Sequence, residues 1–279
     1  MHEIFLIAPP GLESACAVEA AALGAAQPRA IPGGAVCRGD LATLLRLNVG
    51  LRIASRVLLR LWEGAASELR RGIGAVEFER FLRPGGAFRV EVSGGGARPS
   101  AIAGPVEAAI RRRVPGARIA AKGEDAQVFA VRVSSGRSTV SADASGAHLH
   151  LRGYRQETGV APLRENLAAG ILALAGWEGT TPLYDPFCGS GTFLVEGALR
   201  AIGRAPGIAR AFACESWPAF APDVVVRVRE ALRTGERPAP AAPIHGSDRN
   251  AGALGVARRN ARRAGVLEPL QLARIDATA

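Results

Sequence analysis

The sequence predicts an α+β module over residues 1–154, followed by an α/β domain of the doubly wound, Rossmann-like type. Strand-like and helix-like segments are mixed without a regular order up to residue 154. The stretch "PLYDPFCGSGTFLVEGAL" then passes from an apolar strand through a glycine-rich turn into an apolar helix. Two later strands end in aspartate, as this one does, which is typical of a ligand site at one sheet edge.

The first unit, predicted over residues 1–62, alternates strands and helices. A strand in "EIFLIAPP" precedes a helix in "GLESACAVEAAALGA", where Leu12, Cys16 and Leu23 fall at helical spacing. "GGAVCRGD" predicts a second strand, "LATLLRLNVG" a second helix and "SRVLLRLW" a third strand. These segments together predict a small α+β unit.

The second unit, predicted over residues 63–154, begins with the alternating strand "GAFRVEV" and a glycine-rich break, "SGGGARPS". The helix "AIAGPVEAAIRRRV" follows, and we expect three short strands between Gln127 and Tyr154. The helix ends in Arg111, Arg112 and Arg113, for which two interpretations stay open. Basic side chains stabilise a helix C-terminus by offsetting its dipole, or they contact the backbone of RNA.

The charge balance indicates a polyanionic partner. The 279 residues include 35 basic and 25 acidic residues, a net charge of +10, and Lys122 is the only lysine. Arginine makes bidentate contacts with phosphate and stacks on bases, which suits RNA, although a GC-rich coding bias would also favour arginine over lysine. The net positive charge attracts nucleic acid under either interpretation.

Composition disfavours several other classes of protein. The four cysteines and four histidines lack CxxC, HxxxH and HExxH spacing, so we expect neither a metal site nor a disulfide framework. No apolar run is long enough to span a bilayer, and the N-terminal residues lack the pattern of a signal peptide. The sequence therefore predicts a cytoplasmic protein without a membrane partner.

The α/β domain, predicted over residues 155–279, opens with a linker and a helix that Gly176 ends. Three strands follow, "PLYD", "APIHGSD" and "LQLARID", and the basic helix "RNAGALGVARRNARRAG" separates the last two. Ligands of such a sheet bind beyond the carboxyl ends of the strands, where we expect Asp185, Asp248 and Asp276.

The glycine turn suits one cofactor better than two common alternatives. A P-loop would need GxxxxGK[ST], and a dinucleotide fingerprint would need glycine where Leu194 stands. An acidic strand end and a tight turn instead suit S-adenosylmethionine, which carries an ammonium group and a sugar. Gly189 and Gly191 allow the backbone to approach this ligand, and the Asp185 carboxylate suits its amino group. The aspartates of the second and third strands suit the ribose and the adenine.

Several segments resemble a known family. "DPFCGSGT", preceded by "APLRENLAAGIL" and followed by "GSDRNAGALGVARRNARRAGV", resembles the THUMP-domain RNA methyltransferases that modify the exocyclic amine of guanine in ribosomal RNA, which have transfer RNA relatives. Residues 1–62 resemble the family's ferredoxin-like unit, and residues 63–154, which include "LHLRGYR", resemble its RNA-binding THUMP domain. The resemblance implies structured RNA, ribosomal first, as partner and S-adenosyl-L-methionine as cofactor.

The resemblance also implies a set of cofactor-binding residues. They are Asp185, Phe187, Cys188, Gly189, Gly191 and Thr192 in the turn, Asp248 on the ribose, Asp276 near the adenine, and Leu163, Arg164 and Asn166 at the methionine end. Two features depart from the family. Arg249 and Asn250 follow Asp248 where a second acid is common, and the glycine region of the THUMP segment lacks lysine.

No catalytic residue is assigned, because the family's Asn-Pro-Pro-Tyr-type motif, which stacks and hydrogen-bonds the extruded base, does not occur in the sequence. In permuted DNA amino-methyltransferases this motif precedes the glycine turn, and nothing upstream fits it here. We therefore expect the motif beyond residue 279, after a fourth strand that would pair with the first. Without that strand the domain is incomplete, and we expect the chain alone to be poorly stable or prone to aggregation.

Three functions stay open from the sequence. The preferred one is methyl transfer to guanine in RNA, with ribosomal RNA ahead of transfer RNA. The second is a non-catalytic remnant that binds RNA or the cofactor, and the third is a DNA adenine methyltransferase. The coding sequence beyond residue 279 and the transfer of tritiated methyl groups to RNA or DNA would discriminate among them.

Overall fold

The computed structural model describes residues 1–94, 98–157 and 163–277. They form an eight-stranded sheet within the first 143 residues and a three-stranded parallel sheet within residues 183–273. The predicted fold class, an α+β module followed by a Rossmann-like α/β half, is confirmed. No helix in the described part of the chain combines the length and the apolar composition needed to cross a membrane.

The N-terminal module is built around one mixed sheet. Its strands are β1 (His2–Ile7), β2 (Ala26–Ile31), β3 (Gly34–Gly39), β4 (Arg56–Ala65), β5 (Ala87–Gly94), β6 (Arg118–Ile119), β7 (Gln127–Ser134) and β8 (Arg137–Asp143). Its helices are α1 (Glu13–Ala22), α2 (Leu41–Gly50), α3 (Leu69–Gly72) and α4 (Pro99–Arg113). All eight strands belong to one sheet, and their order across it is β2-β3-β1-β4-β8-β7-β5-β6.

The methyltransferase-like half alternates strands and helices. In chain order its elements are α5 (Glu165–Leu174), β9 (Leu183–Asp185), α6 (Thr192–Ala201), α7 (Pro222–Arg233), β10 (Ile244–Ser247), α8 (Ala251–Arg263) and β11 (Leu270–Ala273). The strands pair in parallel in the order β11-β10-β9. Their carboxyl ends therefore lie at one edge of this sheet.

The two faces of the large sheet differ because strand residues alternate between them. Ile4 and Leu6 of β1 are fully buried in the main apolar core, together with apolar residues of α1, α2 and α4. Phe5, between them, belongs instead to a separate small cluster with Val36 and Leu58. The large sheet therefore has one face covered by helices and a second face with its own apolar floor.

The segment between α6 and β10 joins the two halves of the molecule. Its residues Phe212, Trp217 and Phe220 are buried in the core of the N-terminal module. The indole Nε1 of Trp217 donates a hydrogen bond to Oε1 of Gln127, on β7, at 2.6 Å. Burial of three aromatic side chains from one half in the core of the other fixes the relative position of the two.

Several elements differ from the sequence-based predictions, among them helix α3 and strand β6, which were not predicted. The strand expected near Tyr154 does not form, because the amides of Leu151 and Arg152 donate to the carbonyls of His148 and His150 in tight local turns and not to a neighbouring strand. Strand β2 was missed because Pro28 interrupts its pattern, which an edge strand tolerates. Helix α7 was also missed. The glycine-rich break at residues 95–97 lies outside the described residues.

Candidate functional site

The candidate site lies at the carboxyl edge of the three-stranded sheet. Asp185 is the last residue of β9 and pairs in register with Gly246 of β10. Ser247 ends β10 and pairs with Ala273, the last residue of β11. The residues that follow these three strands therefore share one edge, as the sequence predicts.

The turn after β9 is held by backbone hydrogen bonds. The Cys188 amide donates to the Ser247 carbonyl at 2.9 Å, and the Gly191 amide donates to the Cys188 carbonyl at 2.7 Å. Gly189 and Gly191 have φ angles of +51° and +79°, in the left-handed region where glycine is favoured. Gly191 is the N-cap of α6, and Thr192 is its first, buried residue.

Asp248 ties the turn to the second strand. One of its carboxylate oxygens accepts a hydrogen bond from the Gly189 amide at 2.9 Å, and the other accepts one from the Asn250 amide at 2.8 Å. Asn250 in turn caps α8 by accepting from the Gly252 amide at 2.9 Å. The side chain of Asp248, directly after β10, thus fixes both the glycine turn and the start of the next helix.

Asp185 is the partly buried carboxylate of this edge. Its carboxylate accepts a hydrogen bond from the Phe187 amide at 3.1 Å. Burial raises the pKa of Asp185 and nearby Asp248 adds to the rise, whereas the bond from Phe187 lowers it. Burial also raises the pKa of the Cys188 thiol to about 12. Cys188 is therefore protonated at neutral pH and is not a nucleophile.

Two aromatic residues next to the turn have exposed side chains. The Phe187 side chain is 69% exposed, although the strand end that it follows is partly buried. Tyr184 is also exposed, and its hydroxyl lies 2.9 Å from the Ser247 hydroxyl. Among the described residues, a Cβ atom added to Gly189 would find only the Phe187 carbonyl oxygen, at 4.0 Å. The surface between Asp185 and Asp248 is therefore not filled by the turn itself.

The other residues implied by the resemblance lie in different surroundings. Asn166 is buried, and its Nδ2 donates to the Ile53 carbonyl at 3.2 Å and contacts the Ser55 hydroxyl at 3.3 Å, so it joins α5 to the N-terminal module. Arg164 is the N-cap of α5, and the Leu163 carbonyl accepts a hydrogen bond from Arg155. Asp276 lies three residues after the end of β11 and is exposed.

A buried charged network lies where the two halves meet, and sequence reasoning missed it. The Tyr154 hydroxyl donates to Oε1 of Glu196 at 3.0 Å, and Nε of Arg152 lies 3.6 Å from the same oxygen. Arg155 pairs with buried Glu165 at 3.1 Å. Three of these residues belong to "LHLRGYR", so that segment holds the halves together. A glutamate among the apolar residues of α6 was the available signal.

The arginines that end α4 lie far along the chain from this edge. Arg113 contacts Glu79 at 3.4 Å and the Gly74 carbonyl at 3.5 Å. Arg111 and Arg112 are exposed and form no ion pair with any acid that the structure describes. Among the described residues, no three histidine, cysteine or acidic side chains are grouped so as to hold a metal ion.

The fold and the site together define a class: an α+β module joined to a parallel α/β domain with a carboxylate-flanked glycine turn. Comparison with known families gives the same division. Residues 152–279 match the family described as "RMKL-like, methyltransferase domain", and residues 3–58 match the "RlmL ferredoxin-like domain". The C-terminal half is therefore a methyltransferase domain, and the N-terminal residues form a ferredoxin-like domain.

Solved structures resemble nearly the whole chain. SMU.472, a candidate methyltransferase complexed with SAH, is 28% identical with a TM-score of 0.86, over 98% of this chain and 75% of that one. A protein from Listeria monocytogenes, assigned by prediction as an N6-adenine-specific DNA methylase, is 28% identical with a TM-score of 0.88, over 99% and 75%. TrmN from Thermus thermophilus is 20% identical with a TM-score of 0.70, over 99% and 74%, and supports the fold alone.

Proposed function

We propose that this chain takes part in methyl transfer from S-adenosylmethionine to the exocyclic amine of guanine in ribosomal RNA. S-adenosylmethionine is the cofactor of the methyltransferase domain. The observation that carries the proposal is the meeting of Asp185, Gly189 and Asp248 at one sheet edge of that domain. SMU.472, which the chain resembles over 98% of its length, was solved with SAH, the cofactor without its methyl group.

The residues at this edge fit the cofactor. The partly buried Asp185 carboxylate has capacity left for the amino group, since one backbone amide is its only hydrogen bond described. Both oxygens of Asp248 already accept a backbone hydrogen bond, and each retains a lone pair for a ribose hydroxyl. The exposed ring of Phe187 offers an apolar contact. The cofactor supplies the methyl group, and these residues bind and orient it.

The RNA part of the proposal rests on the N-terminal module and on charge. The proposed THUMP domain, residues 63–154, includes the exposed Arg111 and Arg112, and the chain carries a net charge of +10. Exposed guanidinium groups bind the phosphate backbone of structured RNA. Ribosomal RNA, modified in the cytoplasm, is the substrate that the resemblance to guanine methyltransferases favours.

A second candidate function is methyl transfer to the N6 amine of adenine in DNA. The similarity to the Listeria protein favours it, because that protein is assigned to this activity. An exocyclic amine is the acceptor in both candidates, so the cofactor edge does not separate them. The N-terminal module, with its proposed RNA-binding domain, favours RNA.

Nucleoside mass spectrometry of a strain lacking the gene tests the proposal with the protein in its natural setting. We expect N2-methylguanosine to fall in ribosomal RNA, to stay unchanged in transfer RNA, and to return on complementation with the natural gene. Loss of N6-methyladenine from DNA instead would establish the second candidate. Unchanged methylation in all three nucleic acids would overturn both.

A further inference from the structure

A groove runs across the second face of the eight-stranded sheet, away from the cofactor edge. It encloses about 830 Å³, and its lining residues belong to strands or to the segments next to them. Seven of the eight strands contribute side chains, so the groove extends roughly 29 Å across the sheet at about 4.8 Å per strand. None of the described residues of the methyltransferase domain lines the groove.

The floor of the groove is apolar. Phe5, Val36 and Leu58 come from three neighbouring strands and are 6–7% exposed, and Ile7 and Ile31 pack against them. These side chains are separate from the main core, which lies on the other side of the sheet. The partly exposed Ile7 and Ile31, together with the small exposed parts of the three buried side chains, offer apolar contact to flat, weakly hydrated groups such as nucleobases.

Guanidinium groups surround this floor. Five arginines from four strands line the groove: Arg29, Arg56, Arg60, Arg132 and Arg137. Arg132 lies over the ring of Phe5, with its Cζ 5.9 Å from the ring centre. A guanidinium held in this way presents a flat face for stacking and edges for phosphate.

The groove is lined by four acids, Glu3, Glu63, Glu91 and Asp143, and within the described ranges all but Glu91 pair with three of these arginines. Asp143 pairs with Arg56, and Glu63 contacts Arg60 at 2.9 Å and Arg137 at 3.0 Å. These pairs hold the three guanidinium groups in place. Arg29 and Arg132, in contrast, form no ion pair with any acid in the described ranges. Their charge is thus available to a partner.

We propose that this groove binds a single-stranded segment of the RNA substrate, with bases on the apolar floor and phosphates at Arg29 and Arg132. The inference rests on the proposed function. A single strand fits better than a duplex, because paired bases are stacked inside the helix and cannot reach the floor. The groove is therefore an RNA-binding site distinct from the end of α4 and from the cofactor edge.

Fluorescence anisotropy with a 12-nucleotide single-stranded RNA tests the inference. The groove variant Arg29→Glu/Arg132→Glu is compared with Lys122→Glu/Arg233→Glu, which changes the net charge equally at exposed positions outside the groove. We expect the groove variant to lose at least tenfold in affinity, and the control variant less than threefold. Loss of two phosphate contacts also reduces the salt slope of log K by about 1.4.

A second groove variant, Arg29→Gln/Arg132→Gln, removes the two charges without reversing them. It is therefore less prone to misfold than the glutamate variant. It should lower RNA affinity in the same direction while the affinity for S-adenosylhomocysteine stays unchanged. Equal losses in the groove and control variants would overturn the inference. So would tighter binding of the same sequence as a duplex, or equal competition by phosphatidylserine vesicles.

The inference and the proposed function fail separately. If gene deletion removes N2-methylguanosine from ribosomal RNA while the groove variant keeps its RNA affinity, the groove inference is wrong and the function stands. If the groove variant loses RNA affinity while the deletion leaves methylation intact, the groove stands and the proposed function is wrong.

Discussion

Charged side chains have different partners at the junction of the two halves and at the cofactor edge. At the junction, the side chains of Arg152 and Glu196 are 2% and 0% exposed, and they interact with each other and with Tyr154. At the cofactor edge, Asp185 and Asp248 receive hydrogen bonds from backbone amides, and no ion pair is described for either.

The difference separates a structural use of charge from a binding use. A buried ion pair with side-chain partners contributes most when it is intact, because removing one member leaves the other uncompensated away from water. A carboxylate fixed by backbone amides at an exposed edge keeps acceptor capacity for a ligand. Substitutions at the junction should therefore change stability, and substitutions at the edge should change cofactor affinity.

The largest loss of stability is expected from a substitution at the junction. Glu196→Ala removes the partner of both Arg152 and the Tyr154 hydroxyl, and all three side chains are buried. An uncompensated buried charge costs about 3–5 kcal/mol, so we expect a loss of this size in the free energy of unfolding. Urea denaturation followed by tryptophan fluorescence measures it.

Glu178→Ala is the matched control for this prediction. Glu178 also pairs with an arginine, Arg200, at 2.9 Å, but its side chain is 70% exposed. An exposed pair contributes about 0–1 kcal/mol. If the two alanine variants lost equal stability, the junction network would not be the structural element described above.

An intermediate loss of stability is expected from alanine at the two glycines of the turn, which differ in how closely neighbouring atoms surround them. A Cβ atom at Gly191 would lie 3.0 Å from Cβ of Ala257, whereas at Gly189 it would meet no atom of the part of the chain that the structure describes closer than 4.0 Å. Both φ angles are positive, which costs alanine about 1–2 kcal/mol. We expect Gly191→Ala to lose about 2–3 kcal/mol of stability and Gly189→Ala about 1 kcal/mol.

Calorimetric titration with S-adenosylhomocysteine completes this comparison. We expect Gly189→Ala to lose at least tenfold in affinity, because the added methyl group points into the surface left open for the ligand. Equal stability losses in the two variants would mean that α8 moves aside from Gly191, and an unchanged affinity in Gly189→Ala would place the ligand elsewhere.

The same comparison explains how far the sequence alone could lead. The glycine turn and the shared edge of Asp185 and Asp248 were predictable, because they follow from local periodicity and from the rule that parallel strands end at one edge, whereas the strand predicted to end at Asp276 ends at Ala273. The junction was not, because Arg152 and Glu196 are 44 positions apart in the chain and only the fold brings them together. Asn166 illustrates the same limit, since its bond to the Ile53 carbonyl depends on how α5 meets the N-terminal module.

The groove was missed for a similar reason. Its five arginines come from four strands, and none of them stands in a basic run of the sequence. The three consecutive arginines that end α4 attracted the prediction instead. Sequence reasoning finds clusters that are local in the chain, whereas sheet topology creates clusters that are local only in space.

The smallest change in stability is expected from Asp185→Asn, which removes a charge from the edge while keeping the shape of the side chain. Burial raises the pKa of Asp185 above its ordinary value of 3.8, so the ionised form is disfavoured in the folded protein. The stability that this carboxyl contributes is present below that ordinary value and is lost as pH rises through the raised pKa. At pH 7 we therefore expect Asp185→Asn to leave the free energy of unfolding unchanged or to raise it by about 0.5 kcal/mol.

The affinity for S-adenosylhomocysteine should change with pH in the opposite direction to this contribution to stability. The amino group of S-adenosylhomocysteine needs the ionised carboxylate, so its affinity for the natural chain should fall as pH is lowered through the raised pKa of Asp185. Asp185→Asn should bind at least tenfold more weakly at pH 7 and lack this pH dependence. Asp223→Asn, at an exposed pair with Arg227, should change neither quantity. A loss of stability in Asp185→Asn as large as that in Glu196→Ala would make Asp185 a structural residue, and the contrast between edge and junction would not hold.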